Sequence, residues 1–161
     1  MAQTVHLKLQ IGGNDIVGES TTTTLDREDT IECSSFTCGV EFPRDENTGA
    51  LADRRLHSPV TISKRIDQTT PLLLKALCEE ERVEAEFRFY RPAIAAAGTE
   101  EHFYTISLGG ARISSVEQQS LDAITGGVDA PPMMEEVSFV FYTITWTYPI
   151  SGATHRDTSR F

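Results

Sequence analysis

Basic charge is scarce in this sequence. Lys and Arg number 14 against 24 Asp and Glu, a formal net charge of -10. Phosphate backbones are bound by clustered Lys and Arg, so the balance excludes nucleic acid as the expected partner and predicts a solvated acidic surface. Long apolar runs are missing too. No segment approaches the ~20 residues that span a bilayer, and no membrane insertion is expected. The opening residues MAQTVHLKLQ hold no basic stretch followed by an apolar one, which predicts no cleavable signal. Cysteine is limited to Cys33, Cys38 and Cys78. Cys33 and Cys38 lie five apart in strand-like sequence, so their side chains point to opposite faces and form neither a mutual disulfide nor a zinc knuckle. Unpaired thiols suit a chain that folds in a reducing cytoplasm. Signatures of catalysis are also lacking: there is no GxSxG, P-loop or GxGxxG. Gly12-Gly13, Gly109-Gly110 and Gly126-Gly127 read as turns or bulges. His6, His57, His102 and His155 fall at none of the usual metal-ligand spacings. No enzyme, metal or cofactor is expected.

What is present is alternation. At 161 residues, with 39% hydrophobic and 24% charged residues, the chain is expected to be one folded domain, 1–161. Thr4 to Ile11 places Val5, Leu7, Leu9 and Ile11 inward and His6, Lys8 and Gln10 outward, the period of a half-buried strand. Val60 to Ile66 puts Val60, Ile62 and Ile66 on one face; Val83 to Arg91 does the same with Val83, Ala85, Phe87 and Phe89. Ile31 to Phe42 reads as another strand. Its even face, Phe36, Cys38, Val40 and Phe42, looks like core; its small odd face, Cys33, Ser35 and Thr37, is left for water, a lumen or a partner. Between His102 and Ile113 the apolar residues move from even to odd positions across Gly109-Gly110, which predicts a β-bulge or a sharp bend. Val137 to Tyr148 also changes phase, from Phe139 and Phe141 to Ile144 and Trp146, as a strand does when it turns a corner between sheets.

One helix is expected, at about 70–81. Thr70 reads as its N-cap and Pro71 as N1, where a missing N–H costs nothing. Leu72, Leu73, Leu74, Ala76, Leu77 and Cys78 cover so much of its circumference that a second covering surface is needed. Glu79-Glu80-Glu81 reads either as a solvated helix end or as a patch docking on Arg54-Arg55 or Lys64-Arg65 of a neighbour. Two long connections stand out, 12–29 and 117–136. The tail from about 150 lacks periodicity and reads as loose. The pattern fits a mainly β domain, an antiparallel barrel or sandwich of two packed sheets with a single helix.

The stretch TGALADRRLHSPVTISKRIDQTTPLLLKAL, followed by EFRFYRP, EHFYTISLGGARISSV and EEVSFVFYTITWTY, resembles the Hcp family, the haemolysin-coregulated tube proteins of bacterial type VI secretion. The resemblance covers nearly the whole chain except its last dozen residues. It implies a β-barrel with one helix, a fold shared with phage tail-tube proteins, in subunits that close into hexameric rings and stack into a tube. It also implies a contractile sheath and baseplate, a valine-glycine-repeat spike protein at the tip, and small effectors in the lumen. By the same resemblance the chain folds and assembles in the bacterial cytoplasm and is secreted or injected through the apparatus. The segment Gly18-Glu19-Ser20 is similar to the family's extended loop. Gly18, Glu19 and Ser20 are therefore ring or stacking contact candidates, as are Leu72 and Lys75 on the helix, which the resemblance implies lies outside the barrel wall. Ser35, Thr37 and Ser114 are lumen candidates from alternation.

Three other readings remain at this level. One is a tail-tube protein of a phage or phage-derived injection particle. Another is an all-β ligand-binding module using exposed Tyr90 and Tyr104. The third is a metal-dependent barrel in which His6, His57 and His102 converge.

Overall fold

A computed structural model describes residues 3–120, 124, 127, 130 and 132–159. Its organising strand is β1, Thr4–Ile11, which pairs along its full length with β8, Val83–Pro92, from Thr4↔Tyr90 to Ile11↔Val83. The other edge of β1 is shared by β2, Asn14–Ile16, and β3, Ile31–Cys33. After Cys33 the chain bends at Ser34, whose amide donates to Ser63 O at 2.7 Å, and enters β4, Ser35–Thr37. Strand β4 belongs to the second sheet, beside β7, Val60–Arg65, and β10, Met134–Val140.

The two sheets are joined on the far side by β9, Glu100–Gln119. Its first half pairs with β8 and its second half with β10. The switch occurs where Val83↔Ala111 gives way to Ala85↔Leu108, one extra residue on β9. Gly110 sits there at φ 58°, a backbone that a side chain would strain. Ile106 and Leu108 point inward before the bulge, Ala111 and Ile113 after it. Neighbours thus run β1–β8–β9–β10–β7–β4, and β4 returns through Ser34 to β3 on β1, closing a barrel. The phase change after Phe141 is also real: the chain turns at Tyr142 into β11, Thr143–Tyr148, which lies on the first half of β9.

The barrel interior is solid. Leu7, Val60, Ile62, Phe87, Val137 and Phe139 are fully buried, with Phe87 and Phe139 edge-on at 5.7 Å. Each such side chain contributes roughly 1.5–3 kcal/mol by leaving water. The helix α1, Thr70–Cys78, packs against β9, burying Leu73 and Ala76 and half-burying Leu77. Leu72 and Lys75 stay exposed. The helix is shorter than 70–81 because Glu80 takes φ 53°. Glu80 N then donates to Leu77 O and Glu81 N to Ala76 O, a Schellman ending.

Charged side chains lie where alternation alone would put apolar ones. Lys64 falls on the inward face of β7 and is 1% exposed. Its ammonium donates to Glu135, to Asp67 Oδ1 at 2.9 Å and to Arg65 O at 2.8 Å. Thr70 is inside the helix rather than at its N-cap; its hydroxyl donates to Glu135 at 2.7 Å while Asp67 Oδ1 accepts from Thr69 N at 2.9 Å. This knot ties β7, β10 and the start of the helix together, and it removes Lys64 from any docking patch.

Several expectations change. His6 is buried, not outward. The span Ile31 to Phe42 is three short strands, because Ser34 carries the chain between sheets, and Val40 and Phe42 of its even face are exposed. The connection 12–29 begins as the β1–β2 hairpin and is largely folded. The tail is not loose: β12, Ala153–Thr158, pairs with β11 from Thr143↔Thr158 to Tyr148↔Ala153. Its exposed position at the sheet edge explains why no apolar period marked it. Of 117–136, the two ends belong to β9 and β10, while most of the middle, with Gly126, lies outside the described residues.

Candidate functional site

Three outer features could act on other molecules, and the first is the outward face of the second sheet. Register aligns Thr37 with Thr61, Thr61 with Ser138, and Ser138 with Ser115. The next row is Ser35, Ser63, Glu136 and Glu117. A further β9 bulge, between Ser138↔Ser115 and Phe139↔Ile113, leaves both Ser114 and Ser115 exposed. Ser114 Oγ donates to Ser138 O at 3.2 Å, and the Thr61 and Ser138 hydroxyls bond at 2.9 Å. Ser35 and Thr37 therefore share one face with Ser114, across β7 and β10. Three strand spacings of about 4.8 Å set its edges about 14 Å apart. Thr61, Ser63, Ser115 and Ser138 also lie on this face, with Glu136 and Glu117 alongside. The first two were legible as the polar side of β7; Ser115 and Ser138 needed the register.

The second feature is the loop 17–30, which the chain uses for itself. A Cβ on Gly18 would stand 2.2 Å from Thr30 O, so only glycine fits there. Gly18 N donates to Asp29 O at 2.7 Å and Ser20 N to Thr30 O at 3.1 Å. Glu19 Oε1 accepts from Gln68 N at 2.9 Å. Gly18 and Ser20 are buried; only Glu19 of the three is exposed. The loop is pinned by Arg27, which is 2% exposed, pairs with Glu100 and lies 4.6 Å over the Tyr90 ring. The Thr30 hydroxyl donates to Arg27 O at 2.6 Å, so it accepts from His6, whose proton is then on Nδ1, at 2.8 Å. Burial holds His6 and His102 below the ordinary imidazole pKa.

The third feature is an arm. Strand β5, Val40–Glu41, pairs with β6, Leu56–His57, and an Arg44↔Leu51 bridge continues the hairpin outward. Asp45 Oδ1 accepts from Asn47 N and Thr48 N to shape its turn. Val40, Phe42, Leu51 and Leu56 are 45–58% exposed along it. At its base Arg55 Nε donates to Asp157 Oδ2 at 2.6 Å, its Nη2 engages Oδ1, and His57 Nε2 lies 2.8 Å from Oδ2. His57 packs between Phe141 and Trp146, and Trp146 stacks on His155 at 5.9 Å. Hydrogen bonds from Arg55, then His57, hold Asp157 far below the usual carboxylate range.

The competing readings lose their residues. Tyr90 is 1% exposed and Tyr104 half-buried. His6 and His102 flank Tyr90, at 5.6 and 5.2 Å between rings, while His57 belongs to the arm. Among the described residues no three His, Cys, Asp or Glu side chains gather as a metal site, and no helix is long and apolar enough to cross a membrane.

Comparison with known proteins gives a consistent result. Residues 8–148 match the family model described as "Type VI secretion system effector, Hcp". Over 131 residues, 81% of this chain and 75% of its relative, the chain is 37% identical to the "Major exported protein" of Pseudomonas aeruginosa. The solved Hcp1 protein of E. coli EAEC 042 has a TM-score of 0.83 at 31% identity, over 98% of this chain and 99% of that one. The secreted protein Hcp3 from Pseudomonas aeruginosa has a TM-score of 0.77 at 28% identity, over 99% and 100%. With this fold and these matches, the chain belongs to the Hcp family of type VI secretion, whose members are secreted structural proteins of the tube and not enzymes.

Proposed function

We propose that the chain is the repeating subunit of the type VI inner tube. Copies close into hexameric rings, rings stack, and the hydroxyl face of the second sheet lines the lumen. The carrying observation is the solid barrel with a broad polar face outside it. Phe87, Phe139 and Ile62 fill the interior, so cargo passes between subunits and not through one. A surface whose exposed groups are Ser, Thr and Glu offers hydrogen-bonding groups and keeps the apolar Met134 and Val140 half-covered, so little traps a protein in transit. Ser35, Thr37 and Ser114 belong to that wall.

Contacts between copies fall on the arm and the helix. Exposed apolar side chains on a projecting hairpin gain by burial against a second copy. Leu72 and Lys75 extend the contact on the helix. Glu19 is the one member of its loop segment free to join it. Further partners follow from the family: a contractile sheath outside, a baseplate, a valine-glycine-repeat spike at the tip, and small effectors inside. Export is through the apparatus after folding in the cytoplasm.

Sedimentation with negative-stain imaging tests the reading. Six-fold rings, and short stacks at high concentration, are expected. A compact monomer at every concentration overturns it.

A further inference from the structure

The arm and the C-terminal strand meet at one carboxylate. Two arm residues, Arg55 and His57, converge on Asp157 from about 100 positions earlier in the sequence. Strand β12 carries Asp157 and lies beyond residue 148, where the match to the family model ends. Its hydrogen bonds to β11 fix the carboxylate relative to the barrel, while the arm's own hydrogen bonds run within the arm. A bidentate carboxylate–guanidinium pair with a third donor fixes direction as well as distance. His57 adds a flat surface between Phe141 and Trp146.

We propose that β12 is a latch: Asp157, through Arg55 and His57, sets the pose in which the arm meets a second copy. Asp157 is thus a positioning residue for assembly, and the inference rests on the proposed role of the arm in ring contacts. The Arg55 side of the latch is half-exposed, and an ion pair with one solvated partner adds little to global stability, whereas the Asp157 and His57 side chains are largely covered. Freeing the arm costs assembly because its ordering entropy then falls due at each contact.

The chain carries its own reporter, since Trp146 is its one tryptophan and His57 stacks on it at 6.1 Å. Asp157→Ala is expected to raise quenching of Trp146 by acrylamide at least twofold, leave the far-ultraviolet dichroism unchanged, and cut ring stacking at least tenfold. Asp157→Glu, which keeps the charge, restores most of both signals. His57→Ala should mimic the loss without touching the carboxylate. Unchanged quenching in Asp157→Ala overturns the latch. Increased quenching with normal stacking overturns its role in assembly. If the unaltered protein fails to form rings, the assembly reading falls instead, and the quenching comparison still decides whether the latch exists.

Discussion

Loop 17–30 and arm 38–59 look alike as sequence: both are polar, turn-rich connections beside a strand. In the fold they differ in what holds them. The loop is fastened by a buried cation, with Arg27 between Glu100 and the Tyr90 ring and His6 bonded to Thr30. The arm is fastened through a half-exposed cation, Arg55, on the partly covered Asp157, and carries its apolar side chains outward. Burial decides which connection is part of the fold and which is free to act on another molecule. A cation buried with its partners cannot be removed without leaving an unpaired group behind, whereas a half-exposed guanidinium can exchange its partner for water.

The sharpest way to break this comparison is to attack buried charge directly. Lys64→Met leaves Glu135, whose side chain is fully buried, without its cation. A loss of about 3–5 kcal/mol in urea unfolding is expected. Adding Glu135→Leu should recover part of it, because the buried carboxylate goes with its cation while Asp67 and the Thr70 hydroxyl still lose a partner. Arg27→Ala acts on the loop and should cost about 3 kcal/mol, since Glu100 retains some contact with water. Hydrogen exchange at Ser20 and Asp29 should accelerate with it. By the same logic, deleting residues 21–26 removes Thr24, which accepts from Arg27, and should destabilise the barrel. A loss below about 1 kcal/mol for Arg27→Ala would place the loop in the same class as the arm.

pH separates the two regions further. Buried His6 and partly buried His102 have lowered pKa values, so below the ordinary 6.5 the unfolded chain takes protons that the folded chain refuses. Stability therefore falls as pH drops through 6.5, with further loss until the folded values are passed. Asp157 behaves oppositely in range: its contribution is present above the ordinary 3.8 and is lost only in strong acid, below that value. Between pH 8 and 5 the loop anchor should weaken while Asp157 remains ionised. Urea midpoints at the two pH values check this, and His6→Asn should flatten the slope. An equal slope in that variant would assign the effect elsewhere.

How much of this was legible beforehand follows from the range of each interaction. The bounds of β1, the bulge at Gly109-Gly110 and the corner after Phe141 all follow from local alternation, which needs only neighbours in sequence. Leu73 as core and Leu72 as surface needed the packing on β9, because apolar residues surround most of the helix. Lys64, Arg27 and Asp157 did not show themselves, because their partners are 71, 73 and 102 positions away. A local pattern treats such a charge as a mark of solvent. That is also why the wrong connection was expected to project: Gly18 and Ser20 look like a flexible loop until Thr30 and Arg27 are seen to enclose them. Ser35, Thr37 and Ser114 fell on one face because alternation fixes which way a strand residue points, although register was needed to join them.

The lumen wall offers the smallest change in stability and the cleanest separation of surface from arm. Thr37 is exposed at the edge strand β4, with Thr61 as its register partner. Thr37→Trp should alter unfolding by no more than about 0.5 kcal/mol, as surface substitutions do. It should leave rings and stacks intact, because neither the arm nor the helix is touched. Cargo retention is where it should act, since an indole ring projects over the hydroxyl row that Thr61 and Ser138 continue. Co-purification of a small effector with preformed rings measures this directly. Retention equal to that of the unaltered protein would show that the second sheet faces outward in the ring. The first sheet would then have to form the wall, with the arm still carrying the contacts.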